Sequence, residues 1–262
     1  MKDVITAWPL SALAATLDRG VPGDVVPPLW HWLYFLPTYP QSALAPDGHV
    51  HRGGFLPPVE LPRRMWAGGR LEFHDSLRVG DTATRTSTIA SVVEKHGRTG
   101  PLVFVVVRHE IHTARGFALA EEHDIVYRDH PQPGEVAVEQ LAPSESEWER
   151  TVHPDDVLLF RYSAATFNGH RIHYDRRYCT DVEHYPGLVV HGPLVATMML
   201  ELAREHMAGE VTRFSFRAVS PLFDTQAFVV RGSREGNVAN LNACATGGRL
   251  AMTASAEFSA PR

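Results

Sequence analysis

Cysteine is scarce in this chain, with only Cys179 and Cys244 among 262 residues. Two thiols cannot build the disulfide framework of a small secreted fold, so a reducing compartment is expected. Basic charge is not concentrated either. Lys and Arg number 25 against 30 Asp and Glu, for a net charge of −5, and no basic run occurs. Nucleic acid and anionic membrane surfaces are therefore poor partners. No apolar run reaches the roughly 20 residues of a membrane span. The opening MKDVITAWPLSALAATLD has its apolar stretch broken at Trp8-Pro9, which makes a poor secretory signal. Together these absences predict a cytoplasmic protein. Chemical motifs are missing too. Without HExxH or a cysteine-pair spacing, no metal is expected. GxSxG is absent, and Cys179 has only Arg176 and Arg177 for activation, which argues against a covalent nucleophile.

What is present suits a globular chain: 44% apolar and 21% charged residues. Residues 20–69 are rich in Pro, Gly and aromatics and read as ordered loop, with one short buried helix at WHWLYFLP. Ahead of it, Ser11 can cap a short helix. From Arg70 the runs RLEFHDSL, TATRTSTIASVVEKHG, LVFVVVRHEIHTA and FALAEEHDIVYRD predict an antiparallel meander, with turns at GRTG and ARG. Residues 130–147 gain Pro, Glu and Ser and read as a linker between units 1–129 and 148–262. In the second unit, Gly192-Pro193 starts a helix, LVATMMLELA is apolar nearly all round, and Gly209 is a candidate stop. Four strand-like runs follow. FHDSLRVGDT (73–82) and FRAVSPLFDT (216–225) both place Phe eight residues before Asp-Thr and both open a meander, which suggests duplication. The first copy has no long buried helix before its Phe and is degenerate. The expected class is α+β, with sheets wrapped around a central helix.

The chemistry concentrates in TFNGHRIHYD, residues 166–175. His173 is the best acid/base candidate, since imidazole titrates near neutrality. Asn168 can orient a water but cannot take its proton. Asp175 can fix the imidazole tautomer, cap a turn, or pair with Arg171. Arg171 can hold an anion or simply pair with Asp175. His170 is structural or sits at the rim. Downstream, PGLVVHG supplies an apolar floor that includes Val190, then His191, then the free N–H groups at Gly192. A helix start of this kind suits an oxygen that gains negative charge.

These residues resemble a known family. YSAATFNGHRIHYD followed by YPGLVVHGPL is similar to the MaoC-like, (R)-specific enoyl-thioester hydratases and dehydratases of the hotdog fold. LPRRMWAGGRLEF, GRTGPLVFVVVRHEI and EEHDIVYR resemble a double-hotdog subgroup. That subgroup contains the type 2 hydroxyacyl-thioester dehydratases and the mesaconyl-CoA and itaconyl-CoA hydratases. The resemblance runs from about Trp30 to the C-terminus. It implies a double hotdog with a degenerate N-terminal copy, and a catalytic Asp and His five residues apart. The His falls on His173 and the Asp on Asn168, so the second ionisable group is missing from its family position. Asp175 is the nearest replacement by sequence. The family's helix-start glycine falls on Gly192. HYPGLVV is also faintly similar to the His-x-Pro-Gly of another hotdog branch, which would move catalysis to His184.

The implied activity is reversible hydration of an α,β-unsaturated acyl thioester carried by CoA or acyl carrier protein, with no cofactor. A dicarboxylic acyl group would need a counter-charge, for which Arg63, Arg64 and Arg171 are candidates. His170, Asp175, Val190 and His191 complete the expected substrate-binding set. A fatty-acid-type dehydratase, a hotdog thioesterase and a non-catalytic acyl-thioester binding module are the alternatives. A homodimer through exposed sheet edges is compatible with the pattern.

Overall fold

A computed structural model describes residues 1–97, 100–129 and 139–260. The first half of the expected linker, 130–138, and the tip of the GRTG turn lie outside the described residues. Ten strands form one antiparallel sheet: β1 (Lys2–Val4), β2 (Arg63–Phe73), β3 (Thr82–Gly97), β4 (Gly100–Thr113), β5 (Gly116–Arg128), β6 (Trp148–Val152), β7 (Val211–Ala218), β8 (Phe228–Glu235), β9 (Val238–Ala245) and β10 (Leu250–Phe258). Three α-helices join them: α1 (Ala7–Thr16), α2 (Asp156–Ala165) and α3 (Gly192–His206).

The strand order is β1-β3-β4-β5-β2-β7-β10-β9-β8-β6. Read outward from the β2–β7 seam, the two sides repeat the same chain order. Each side begins with an edge strand and a ten-residue helix, β1 then α1 and β6 then α2. Each then runs through four strands that pair in the same sequence. The Phe73–Thr82 and Phe216–Thr225 windows both carry the chain from a seam strand toward the next strand. Duplication is thus written in the topology. The sheets expected around each helix are joined edge to edge into one sheet, so the interior edges are paired rather than exposed.

The copies differ in what fills their concave faces. In the second half α3 is buried along its length, from Leu194 to Ala203. In the first half the corresponding segment is a single 3-10 turn, Trp30–Leu33. Its Trp30 indole donates to Glu201 of α3 at 3.2 Å, so the short turn leans on the long helix. This missing helix is the degeneracy anticipated from sequence, and it leaves room for a cavity.

Two local expectations need correction. Ser11 lies inside α1, with its hydroxyl on the Ala7 carbonyl, and Thr6 is the N-cap. The α3 helix ends at His206, and Gly209 (φ +93°) turns the chain two residues beyond the extended cap residue Met207. Of the expected linker, Leu141 forms a bridge to Arg249, so its described end is tied to the second half.

The seam depends on glycine. Gly68 and Gly69 pair with Arg217 and Phe216 next to an irregularity in β2. A Cβ on Gly68 would lie 2.5 Å from the Phe216 carbonyl oxygen, which is backbone and cannot step aside. Gly68→Ala is expected to cost about 1–3 kcal/mol through overpacking. Gly54→Ala, with nothing within 4 Å of the added carbon, serves as control. The urea midpoint should drop for the first and hold for the second, and equal midpoints would contradict the steric account of the seam.

Candidate active site

Helix α2 delivers the chain to the site. Asp155 caps its N-terminus by accepting the Leu158 N–H at 2.7 Å. At its C-terminus Phe167 adopts a left-handed conformation (φ +49°). The Phe167 N–H donates to Ala164 at 3.3 Å and the Asn168 N–H to Ser163 at 2.8 Å, the pair of bonds of a Schellman turn. That position favours glycine, and a Phe there adds local strain directly before the polar motif.

The strained exit leads into a loop whose polar groups are mostly committed. Asn168 Oδ1 accepts the His170 N–H at 3.0 Å, so its carbonyl end closes a turn. A 3-10 turn (Arg171–His173) then presents His173. Segment 188–190 is clamped on both sides: Val189 N–H donates to Ile172 and Val190 N–H to Leu222, each at 2.9 Å. The clamp aims the Val189 carbonyl at His173 Nδ1, 2.7 Å away. A carbonyl only accepts, so Nδ1 carries the proton and Nε2 is left as the basic nitrogen. Burial pushes the His173 pKa down to about 4, against the opposing Val189 bond and aided by nearby His49. The ring is neutral at physiological pH.

His191 stacks on His173, with centroids 3.7 Å apart and planes 18° from parallel. Its Nε2 meets Ser163 Oγ at 2.8 Å, and its buried Nδ1 has no partner among the described residues. Burial, with His173 and His170 beside it, holds it well below the ordinary imidazole range. The next residue, Gly192, opens α3, with Pro193 immediately after it.

His173 and Gly192 border a cavity of about 1800 Å³ that runs between the halves. Asn168, His170, Arg171, His173, Val190, Gly192, Arg63 and Arg64 all line it. Arg171 is nonetheless occupied, since Nε and Nη2 hold Asp175 Oδ2 at 3.0 and 2.7 Å. Arg63 lies over the Tyr185 ring at 5.4 Å. Arg64 makes no side-chain hydrogen bond or ion pair among the described residues, and its charge is felt at His170.

Three expectations change. Asp175 does not line the cavity. Its carboxylate takes Arg171 and the Tyr178 N–H instead, so it cannot stand in for the family carboxylate. His191 supports His173 from behind rather than lining the cavity. His184 is exposed, has φ +57° and does not line the cavity, which removes the His-x-Pro-Gly alternative.

Sequence reasoning named Arg63 and Arg64 from the first half but missed its other polar groups. Asp47 and His49 come from its long loop, and His49 packs on His170 with centroids 4.0 Å apart. Burial alone would raise the Asp47 carboxyl, but hydrogen bonds from His49 hold it below the usual carboxylate range. Deeper in the first half, buried Glu121 accepts from Trp32 at 2.9 Å and meets His31 at 3.2 Å. His109 and His123 lie close to it. His123 Nε2 is 3.1 Å from the carboxylate but not aligned for a hydrogen bond. A chain of well-separated residues gives no periodic signal for such groups.

Two comparisons now bear on the arrangement. Residues 29–224 match the family described as hydroxyacyl-thioester dehydratase type 2. Over 98% of its length the chain is 48% identical to the mesaconyl-C(4)-CoA hydratase of Chloroflexus aurantiacus, covering 93% of that protein. The chain belongs to the type 2 hydroxyacyl-thioester dehydratase family. It is accordingly a carbon–oxygen lyase that adds or removes water at an acyl thioester. The mitochondrial type 2 hydroxyacyl-thioester dehydratase of Schizosaccharomyces pombe is 29% identical, with 91% of each chain covered. Two solved structures agree on the fold. HtdX of Mycobacterium tuberculosis superposes with a TM-score of 0.69 at 14% identity, covering 99% of both chains. A second M. tuberculosis protein, described as a double hotdog, gives 0.58 at 13% identity, with 99% of this chain and 94% of that one covered. No described helix is long and apolar enough to cross a membrane.

The buried imidazoles make stability pH-dependent. Burial lowers His109 and His173 to about 4 and His170 to about 2, from an ordinary value of 6.5. Between those values the unfolded chain binds protons that the folded chain refuses. Stability is therefore full above about pH 6.5 and falls as the pH drops toward 4. Each ring should remove on the order of 1 kcal/mol by about pH 5.5. Urea midpoints at about pH 7.5 and 5.5 should differ accordingly, and an unchanged midpoint would contradict neutral burial.

Proposed function

We propose that this lyase hydrates an α,β-unsaturated acyl-CoA bearing a free carboxylate, of the mesaconyl kind, with His173 as the base for water. The carrying observation is the Val189–His173 bond, which leaves Nε2 as a neutral acceptor on a cavity that Gly192 also borders. Water attacks the β-carbon as Nε2 takes its proton. The thioester becomes an enolate, and its oxygen takes the N–H at the start of α3. A preorganised backbone donor of this kind supplies on the order of 3 kcal/mol to the barrier. The α-carbon then gains a proton and the carbonyl re-forms. With Oδ1 committed to His170, Asn168 has its amide nitrogen left to hold the water.

The substrate reading draws support from the 48% identity to a mesaconyl-C(4)-CoA hydratase and from Arg64. A guanidinium with no hydrogen-bond or ion-pair partner among the described residues, close enough to His170 for its charge to be felt there, offers a planar fork for the acyl carboxylate.

His173→Gln keeps the size and polarity of the side chain but cannot accept the proton. Its kcat for loss of enoyl-thioester absorbance should fall about 10²–10⁴-fold with native circular dichroism retained. Turnover within threefold of the parent would refute the assignment. Arg64→Gln should raise KM for mesaconyl-CoA by about tenfold or more while leaving crotonyl-CoA nearly unchanged. A parent enzyme that prefers crotonyl-CoA, or a variant that loses both substrates equally, would exclude Arg64 as the carboxylate site.

A further inference from the structure

Hydration moves two protons, and one neutral imidazole accounts for one of them. The family position for a second acid/base holds an amide, Asn168, whose oxygen is already bonded to His170. Asp175, the nearest carboxylate in the sequence, is tied to Arg171 and Tyr178 outside the cavity. The second group must come from elsewhere on the cavity wall.

Loop 44–50 of the first half is built onto that wall. A Leu44–Val50 bridge closes it, with the Ala45 N–H on His49 at 2.7 Å and the Gly48 N–H on Ala45 at 2.9 Å. It is docked onto the His173 loop by three contacts. Arg171 donates its backbone N–H to Asp47 and its Nη1 to Pro46, each at 2.9 Å. Gly48 (φ +88°) meets Gly169 so closely that a Cβ would lie 1.8 Å from the Gly169 oxygen. Only glycine permits that approach. The docking places the His49 ring on His170, which in turn meets His173 edge-on at 5.4 Å. Asp47 Oδ2 lies 2.9 Å from His49 Nδ1, and Asp47 Oδ1 accepts the His49 backbone N–H at 3.0 Å. A carboxylate on Nδ1 fixes the tautomer and offers counter-charge for a ring that carries an extra proton.

Building on the hydratase reading above, we infer that His49, positioned by Asp47, is the second acid/base and replaces the carboxylate whose place Asn168 occupies. In hydration His173 Nε2 removes a proton from water as the C–O bond forms. His49 Nε2–H delivers a proton to the α-carbon as the enolate collapses. His173 is left protonated and His49 neutral, and one proton returns from the first to the second through water. Dehydration runs the same steps backward. The groups facing His49 are Asp47 on its own loop and His170 and His173 on the docked loop, and the charge of Arg64 on β2 is felt at His170. His170 is the less suitable donor, because burial keeps it neutral and, among the described residues, no carboxylate is hydrogen-bonded to its ring.

The experiment measures mesaconyl-CoA hydration by the full-length protein across pH. His49→Gln should lower kcat at least 100-fold with KM changed by less than about threefold, and should slow deuterium delivery to the α-carbon in heavy water. Asp47→Asn should move the alkaline limb of kcat/KM toward lower pH by about one unit. A loop that serves only as an anchor would lower activity at every pH without moving that limb. If His173→Gln abolishes turnover while His49→Gln keeps it within threefold, the present inference is overturned and the hydratase reading stands. If His173→Gln is also active, the hydratase reading itself fails. If His49→Gln loses its native circular dichroism, Asp47→Asn decides alone, and an unmoved limb overturns the inference. Turnover abolished by a chelator and restored by a divalent cation would make Asp47, His49 and His170 a metal site and likewise overturn it.

Discussion

The hydrogen bond between Val189 and His173 Nδ1 is the constraint on which the site depends. It fixes which imidazole nitrogen is basic, and it exists only because segment 188–190 is held rigid between Ile172 and Leu222. The carbonyl cannot donate, so the tautomer has no alternative. His191 closes the back of the ring by stacking, and Ser163 on α2 holds His191 in turn. The proposed base is thus supported by three separate stretches of chain, which keeps its orientation while the cavity beside it stays open.

That cavity has a topological origin. Two copies of one unit share a continuous sheet, joined where β2 and β7 meet. The second copy fills its concave face with α3, while the first has only the turn at Trp30–Leu33. Space that a second helix would occupy is left to the cavity, and the long loop of the first copy brings Asp47 and His49 against the His173 loop of the second. Degeneracy in one half is therefore the source of capacity in the other, and it explains why the walls of the cavity come from both halves.

Electrostatics follows from the same packing. Three imidazoles around the site are buried enough to stay neutral, and desolvation is the leading cause for each. Charge on the cavity wall is carried instead by guanidinium groups, among them Arg63, Arg64 and Arg171, and Asp47 lies against His49. Neutral imidazoles beside a helix N-terminus suit a reaction whose charge develops on a substrate oxygen.

Much of this was legible in the residues themselves. The Gly192-Pro193 start and a run apolar nearly all round marked α3, β-rich runs separated by turns marked the meander, and the matched Phe-to-Asp-Thr windows marked the duplication. TFNGHRIHYD and PGLVVHGP marked the second-half site because its parts lie within thirty residues of one another. Other features depended on three-dimensional placement. Whether Asp175 or Asp47 serves the cavity turned on which carboxylate Arg171 captures with its side chain and which loop it holds with its backbone. The strand pairing that merges two sheets into one, and the Gly48–Gly169 approach that brings His49 to His170, join residues more than a hundred positions apart. Local sequence patterns report what a segment does with its neighbours in the chain. Contacts across the fold are chosen by the packing of whole elements, so that choice belongs to the tertiary structure alone.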